Sequence, residues 1–299
     1  MQRVSLRGLA LAAVGLTVMQ ALAAPISFSD LLGRPRPAAT RVLRYGPAKE
    51  EFGELFLPAG KGPHRAVVTI HGGCWLAELP GVELMDPVAA DLQMRGFAVW
   101  NVEYRRVGSA GGGYPGTFLD IAGGIDALKT IAPANNLDLR KLVIVGHSAG
   151  GQLALWAAAR AHLPKTSVLY ATDPLAIAGV VSLAGIDDLP AYRANGPSAC
   201  GGPDTIDGLI GPAAAAHRDV YADTSPAALL PIGVRQVIVS GGLDPIVPAA
   251  FARDYAAKAR ASGDDVREIE IPDAGHFELI DPTSQAWREI APLIEALEK

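Results

Sequence analysis

The sequence predicts an α/β fold with a mostly parallel central sheet and helices on both faces. Two observations predict it. Short apolar and β-branched runs alternate with helical patterns along the chain, which is typical of repeated strand–helix–strand units. Several of the short runs are continuously apolar, as expected for strands that are buried on both faces. No internal repeat or long polar linker marks a boundary, so residues 24–299 are expected to form a single domain.

These two patterns predict eight strands and five helices along the chain. The predicted strands are short runs of β-branched or apolar residues at 41–45, 54–57, 66–70, 97–102, 142–145, 180–183, 237–239 and 266–271. The predicted helices have apolar residues at helical spacing and occupy residues 83–95, 118–131, 152–162, 248–261 and 282–298. Asp281 as N-cap and Pro282 at the first helical position predict the start of the last helix.

One segment, residues 186–231, interrupts the alternation of strands and helices. It is rich in Gly and Pro and lies between two predicted sheet strands. The segment is longer than a simple crossover requires. We therefore expect it to be an irregular excursion that holds additional structure, as a cap over the edge of the sheet where ligands approach.

The composition restricts the class of protein. Hydrophobic residues make up 49% of the chain and charged residues 19%, which argues against an intrinsically disordered chain. The formal net charge of −5 argues against a nucleic-acid partner. Two cysteines are too few for a disulfide-dense miniprotein. A soluble globular protein is the class that remains.

Residues 1–23 have the features of a secretory signal peptide. Arg3 and Arg7 precede an apolar run, and the run ends in the small-x-small sequence of residues 21–23. An uncleaved anchor or a buried helix are the alternatives, but the run is short for a membrane span. We expect cleavage after Ala23, which would leave an exported protein, periplasmic or secreted, with no stable membrane span.

Residues 146–150 (GHSAG) form a G-x-S-x-G motif in a strand–turn–helix context. A predicted strand precedes the motif, and an Ala-rich predicted helix follows it. A serine at such a turn has its hydroxyl exposed above the sheet, and the flanking glycines avoid collisions as the chain reverses. An ordinary glycine-rich turn is the alternative. The context favours Ser148 as a nucleophile.

A serine nucleophile needs a base that takes its proton. His276 follows the last predicted strand, at the sheet edge where ligands approach open α/β sheets, and this position favours it over the other histidines. Asp244 follows the preceding strand and is predicted to orient the imidazole, with Asp187 and Asp188 as alternatives. The order Ser148, Asp244, His276 along the chain is the one expected for a nucleophile on this type of turn.

Residues 71–75 (HGGCW) directly follow the buried strand 66–70 and reach the same sheet edge. Glycines there allow backbone amides to turn toward a developing negative charge on a carbonyl oxygen. We predict that the N–H groups of Gly73, Cys74 and Ala149 form an oxyanion hole. A Gly-Gly turn without a ligand is the alternative.

Together these motifs resemble the α/β-hydrolase superfamily, in the branch whose loop reads HGGxW. That branch includes kynurenine-formamidase-like proteins and small esterases related to the hormone-sensitive-lipase group. The resemblance covers residues 66–299 and implies a triad of Ser148, Asp244 and His276, with oxyanion amides at Gly73 and Cys74. The chain departs from the pattern in two respects. The formamidases are intracellular as a rule, and the lipase group has a third glycine at the position of Cys74.

The two cysteines are candidates for a disulfide bond, because disulfides form in exported proteins. A bond between Cys74 and Cys200 would tether the segment 186–231 to the loop at 71–75; two unpaired, buried thiols are the alternative. Trp75 and Tyr104, near strand ends, are candidates for lining a pocket, with ordinary packing as the alternative. No group of residues has the spacing of a zinc site, and no metal or cofactor is expected.

These features predict a serine esterase that cleaves small carboxylic esters through an acyl-enzyme intermediate. An arylformamidase-type amide hydrolase is the first alternative, and export favours the esterase because it separates the protein from intracellular tryptophan breakdown. A catalytically silent binding protein on a hydrolase scaffold is an alternative of another class. The complete set of three catalytic residues favours an enzyme.

Overall fold

The structure is a computed structural model that describes residues 24–215 and 219–297, without the side chains of 212–215. The predicted signal peptide therefore lies outside the described residues. Within them, eight strands form one sheet in the order β1-β2-β4-β3-β5-β6-β7-β8. The strands are β1 (Arg41–Arg44), β2 (Phe52–Phe56), β3 (His64–Ile70), β4 (Ala98–Val102), β5 (Leu137–His147), β6 (Gly179–Leu183), β7 (Arg235–Gly241) and β8 (Val266–Ile271).

The sheet is mostly parallel. The pairs β1–β2 and β2–β4 are antiparallel, and every other neighbouring pair in the sheet is parallel. The carboxyl ends of β3, β5, β7 and β8 therefore meet at one edge of the sheet. This edge is where the sequence places its candidate functional residues.

Nine helices surround this sheet in the described part of the chain. They are α1 (Phe28–Leu32), α2 (Asp86–Met94), α3 (Gly116–Asp126), α4 (Leu128–Asn135), α5 (Ala149–Ala159), α6 (Leu189–Asn195), α7 (Pro203–Ala215), α8 (Ala249–Ala261) and α9 (Gln285–Leu297). Helix α5 packs on β5 and β6, and α8 packs on β7 and β8. The predicted fold class, a mostly parallel sheet with helices on both faces, is confirmed.

The core lies at the centre of the sheet and along α5. Every residue of β4 and of β6 is buried, as their continuous apolar sequences predict. Every residue of α5 is buried as well. A helix that is apolar all round belongs in the interior, and this one begins directly at the motif 146–150.

Four helix predictions are wrong in their bounds. The predicted helix 83–95 is a 3-10 turn at 82–84 followed by α2 at 86–94, and the predicted helix 152–162 is α5 at 149–159 followed by a 3-10 turn. The last helix begins at Gln285, and the Oγ atom of Ser284 accepts a hydrogen bond from the N–H of Trp287. The side chain of Asp281 instead accepts bonds from Thr283 in the turn before the helix. The predicted helix 118–131 is divided into α3 and α4 at Ala127.

The segment 186–231 contains α6, α7 and short 3-10 turns at 198–200, 220–223 and 226–228. Further 3-10 turns lie at 82–84, 160–162 and 278–280. None of the helices in residues 24–215 and 219–297 combines the length and the apolar character that crossing a membrane requires.

Candidate active site

Ser148 lies on a strained turn between β5 and α5. Its backbone has φ 56° and ψ −122°, a conformation that non-glycine residues rarely adopt. The turn is too tight for larger neighbours: a Cβ atom on Gly146 would lie 2.0 Å from the carbonyl oxygen of Gly150, and one on Gly150 would lie 2.2 Å from that of Ile70. The N–H of Ser148 donates to the carbonyl oxygen of Leu183, which holds the turn against β6.

His276 and Asp244 are joined by a short hydrogen bond. The distance from Nδ1 of His276 to Oδ2 of Asp244 is 2.6 Å, and both side chains are buried. The other carboxylate oxygen, Oδ1, accepts the backbone N–H groups of Ile246 and Val247 at 2.7 and 2.9 Å. Three donors thus fix the carboxylate. Because Asp244 accepts the Nδ1 proton, Nε2 is left as the ring nitrogen that can take a proton from a nucleophile.

The two alternative carboxylates have other partners. Asp187 accepts a hydrogen bond from the hydroxyl of Ser182 at 2.8 Å, and burial raises its pKa to about 7. Asp188 caps α6 through the N–H of Ala191 and pairs with Lys258. Among the three predicted acids, Asp244 is the one that contacts the imidazole.

Ser148 and His276 line the same cavity, which has a volume of about 250 Å³. The residue before the serine also links the two, because Nε2 of His147 donates to the carbonyl oxygen of His276 at 3.1 Å. Burial, with the neighbouring His276, keeps the pKa of His147 well below its usual value, so this ring is neutral at physiological pH. No role for His147 was predicted from the sequence; its position directly before Ser148 is the feature that could have indicated one.

The predicted oxyanion loop packs directly on the serine turn. A Cβ atom on Gly72 would lie 3.0 Å from the Cβ of Ser148. Gly73 and Cys74 both have positive φ, 99° and 52°, which turns successive amides of the loop. Within residues 24–215 and 219–297, no group accepts a hydrogen bond from the N–H of Gly73, Cys74 or Ala149. Amide N–H groups that have no acceptor can donate hydrogen bonds to a negatively charged oxygen.

A buried network behind the loop fixes its conformation. His71 donates from Nδ1 to the carbonyl oxygen of Gly72 at 2.7 Å and from Nε2 to the carboxylate of Glu103 at 3.1 Å. The hydroxyl of Tyr104 donates to the carbonyl oxygen of His71 at 2.9 Å. Burial alone would raise the pKa of Glu103, but the charge and hydrogen bond of His71, with Arg106, lower it to about 2. Glu103 is therefore an ionised, buried anchor for the loop.

The structure does not support a pocket role for Trp75 or Tyr104. Both are fully buried, and neither is among the residues that line the cavity. The indole N–H of Trp75 donates to the side chain of Gln152 at 3.1 Å, and Tyr104 stacks on His71. Both side chains support the loop from behind, so this prediction is wrong and the packing alternative is correct.

The cavity wall is mostly apolar. Apart from the residues discussed above, it is lined by Phe28, Leu31, Leu79, Leu84, Ala199, Cys200, Ile246, Phe277 and Ile280. These residues come from segments far apart in the chain. The apolar lining residues were not predicted from the sequence because their separate segments carry no motif, although Phe277 directly follows the predicted base.

Cys74 and Cys200 form a disulfide bond, with their Cα atoms 5.6 Å apart and a sequence separation of 126. Cys200 lies in the 3-10 turn at 198–200, between α6 and α7. The bond therefore ties the segment 186–231 to the oxyanion loop, and both cysteines line the cavity.

Residues 54–258 match the model of the BD-FAE family, which covers more than half of the chain. The chain belongs to the BD-FAE family. This assignment agrees with the resemblance to the α/β-hydrolase superfamily that the motifs indicate. No curated protein matches the chain.

Several solved structures share the fold at low sequence identity. Esterase B from Lactobacillus rhamnosis is 17% identical with a TM-score of 0.72, and the match covers 88% of each chain. A bacterial heroin esterase is 20% identical with a TM-score of 0.68, over 90% of this chain and 87% of the other. A bifunctional GH43-CE from Bacteroides eggerthii is 21% identical with a TM-score of 0.70; the match covers 86% of this chain but 35% of that one.

Proposed function

We propose that the protein is a serine hydrolase that cleaves small carboxylic esters through an acyl-enzyme intermediate. The observation that carries the proposal is the 2.6 Å bond between His276 and Asp244 in the cavity that Ser148 also lines. The likeness to solved structures named esterase B and heroin esterase supports an ester as the substrate.

In the acylation step, the Oγ atom of Ser148 attacks the ester carbonyl while Nε2 of His276 takes its proton. The carbonyl oxygen becomes negatively charged and binds the N–H groups of the predicted oxyanion hole. The bond from the carbonyl carbon to the leaving oxygen then breaks. The leaving alcohol takes the proton from Nε2, and the acyl group stays on Ser148.

In the deacylation step, water attacks the acyl-enzyme and gives one proton to Nε2 of His276. The tetrahedral intermediate collapses, the bond to Oγ of Ser148 breaks, and Oγ takes the proton back. A carboxylic acid leaves. Asp244 stays ionised throughout and stabilises the imidazolium in both steps.

The volume and the polarity of the cavity support a small substrate. Ligand pockets for drug-sized molecules measure about 300–1,000 Å³, whereas this cavity has about 250 Å³. Its wall beyond the catalytic groups is apolar. Such a wall favours short apolar groups, because a buried polar group without a partner costs about 1–3 kcal/mol.

We also infer that the protein acts outside the cytoplasm. The signal-peptide pattern at residues 1–23 supports export. The disulfide bond between Cys74 and Cys200 supports an oxidising compartment.

The test compares p-nitrophenyl acetate and butyrate with N-formylkynurenine, using the wild type and Ser148→Ala. We expect hydrolysis of both esters with a higher kcat/KM than for the formamide, and loss of all three activities in Ser148→Ala. A strong preference for N-formylkynurenine would instead favour the arylformamidase alternative. Absence of all hydrolysis would favour a binding protein.

A further inference from the structure

The outer wall of the cavity includes a helix that precedes the first strand of the sheet. Phe28 and Leu31, on α1, both line the cavity with Ser148 and His276. The helix has its own N-terminal capping box, in which Ser27 and Asp30 exchange side-chain and backbone hydrogen bonds. Although it is short, α1 is thus a defined element and not an extended leader.

Helix α1 is attached to the segment that carries His276. The rings of Phe28 and Phe277 lie 5.3 Å apart between centroids. The N–H of Ile26 donates to the side chain of Glu278. At the other end of the helix, Nε of Arg34 donates to Asp281 at 3.0 Å. Contacts on both sides of α1 therefore reach residues 277–281, directly after the proposed base.

The acylation step determines which part of the ester lies beside α1. The carbonyl oxygen of the ester must point toward the amides of Gly73, Cys74 and Ala149. The leaving oxygen must point toward Nε2 of His276, because that atom gives it a proton. The alcohol part of the ester therefore lies on the His276 side of the cavity, next to Phe277 and α1.

We propose that Phe28 and Leu31 form a specificity-determining wall for the alcohol part of the ester, and that this wall selects small apolar alcohols. The inference rests on the proposed function. Among the residues that the structure describes, Phe28, Leu31, Phe277 and Ile280 line this side of the cavity, and none of them is polar. Bulky alcohols are excluded by volume, and alcohols rich in hydroxyl groups lose hydrogen bonds with water that this wall does not replace.

This position also predicts which kinetic step the wall affects. Esters of one acid with different alcohols give the same acyl-enzyme once the alcohol has left. A change at Phe28 should therefore alter kcat/KM, which reports acylation, and leave the deacylation rate unchanged. A wall for the acyl group would change both steps.

The experiment uses two substrate series and three variants of the full chain. The alcohol series is methyl, butyl and 1-naphthyl acetate; the acyl series is p-nitrophenyl acetate, butyrate and hexanoate. Phe28→Ala enlarges the space for the alcohol part of the ester, and Phe28→Trp reduces it. Leu32→Ala is the matched control, because Leu32 lies on the same helix and does not line the cavity. Deacylation of the acetyl-enzyme is measured separately in single-turnover experiments.

We expect Phe28→Ala to raise the ratio of kcat/KM for 1-naphthyl over methyl acetate on the order of tenfold. Phe28→Trp should lower the same ratio, and Leu32→Ala should match the wild type. In these variants, the deacylation rate and the kcat/KM ratios across the acyl series should stay within about twofold of the wild-type values. An equal or larger shift in the acyl series, or an unchanged ratio in both Phe28 variants, would overturn the inference. A wild type that hydrolyses no ester would overturn the proposed function itself, and the inference with it.

Discussion

The backbone conformation of the single residue Ser148 determines where its hydroxyl lies. A non-glycine residue at φ 56° and ψ −122° stores about 1–3 kcal/mol of backbone strain. The hydrogen bond to Leu183 and the close contacts of Gly146 and Gly150 hold the residue there. The strain brings the hydroxyl to the cavity, at the first turn of α5. The protein therefore gives up some stability at this position for the placement of one oxygen atom.

The first prediction concerns Asp244. We expect Asp244→Asn to lower kcat by about 10³–10⁴, with a much smaller change in KM, because an amide favours the wrong tautomer of His276. The measurement is steady-state hydrolysis of p-nitrophenyl acetate. Asp188→Asn is the control, since Asp188 pairs with Lys258 and not with the imidazole. If Asp188→Asn lost activity and Asp244→Asn kept it, the assignment of the acid would be wrong.

The second prediction concerns Glu103, whose pKa is lowered from 4.5 to about 2 in the folded protein. Ionised Glu103 therefore stabilises the fold fully above pH 4.5, and this contribution is lost as the pH falls toward 2. This lowering of the pKa corresponds to a stabilisation of about 3 kcal/mol. We expect Glu103→Gln to lower the free energy of unfolding by about this amount at pH 7, and the deficit to narrow below pH 4.5.

Urea unfolding of the two proteins between pH 3 and pH 7 measures the Glu103 effect. Glu289→Gln is the control, because Glu289 is exposed on α9. A deficit that stays constant down to pH 3 would show that the charge of Glu103 does not carry the effect. Since His71 links Glu103 to Gly72, kcat for an ester should also fall in Glu103→Gln.

At the scale of elements, patterns with strong local signals were predictable. The continuous apolar runs of β4 and β6 predicted buried strands, and the Ala-rich sequence after the motif predicted α5. The start of α9 was not predictable from its caps. Asp281 and Pro282 form a good local start signal, but the side chain of Asp281 is taken by Thr283 and Arg34. A tertiary contact from Arg34, two residues after α1, thus competes with the local cap.

The third prediction concerns the disulfide bond between the oxyanion loop and the segment 186–231. Thiol titration of the denatured protein should find no reactive thiol before reduction and two after it. Because the bond closes a loop with a sequence separation of 126 residues, its removal should lower the free energy of unfolding by up to about 5 kcal/mol. Cys200→Ser provides the matched variant for chemical unfolding. Two reactive thiols in the unreduced, denatured protein would contradict the bond.

At the scale of the whole molecule, the parallel sheet collects residues that are distant in sequence. The ends of β3, β5, β7 and β8 lead to the oxyanion loop, Ser148, Asp244 and His276. The convergence was predictable, because parallel strands present their carboxyl ends at one edge. The wall formed by α1 was not predictable, since α1 reaches the edge through tertiary contacts alone. The turn at 198–200 was indicated only through the candidate disulfide bond between Cys74 and Cys200. Sequence patterns indicate the chemistry here better than they indicate the substrate.

The fourth prediction concerns the mature chain. When the full sequence is expressed in a bacterium with a periplasm, we expect the periplasmic protein to begin at Ala24, because small residues at 21 and 23 suit a signal peptidase. N-terminal sequencing of the periplasmic fraction measures this. Ala23→Leu is the control and should block cleavage at that position. Recovery of the uncleaved chain from the cytoplasm would contradict the proposal of export.

Each proposed catalytic step requires that Ser148 is a nucleophile activated by His276 and Asp244. Covalent labelling with a fluorophosphonate, followed by intact mass and peptide mapping, reports this reactivity. We expect one phosphonyl adduct per chain on Ser148, none on Ser148→Ala, and much slower labelling of Asp244→Asn. A folded wild type that takes no label, or an adduct that maps to another residue, would contradict it.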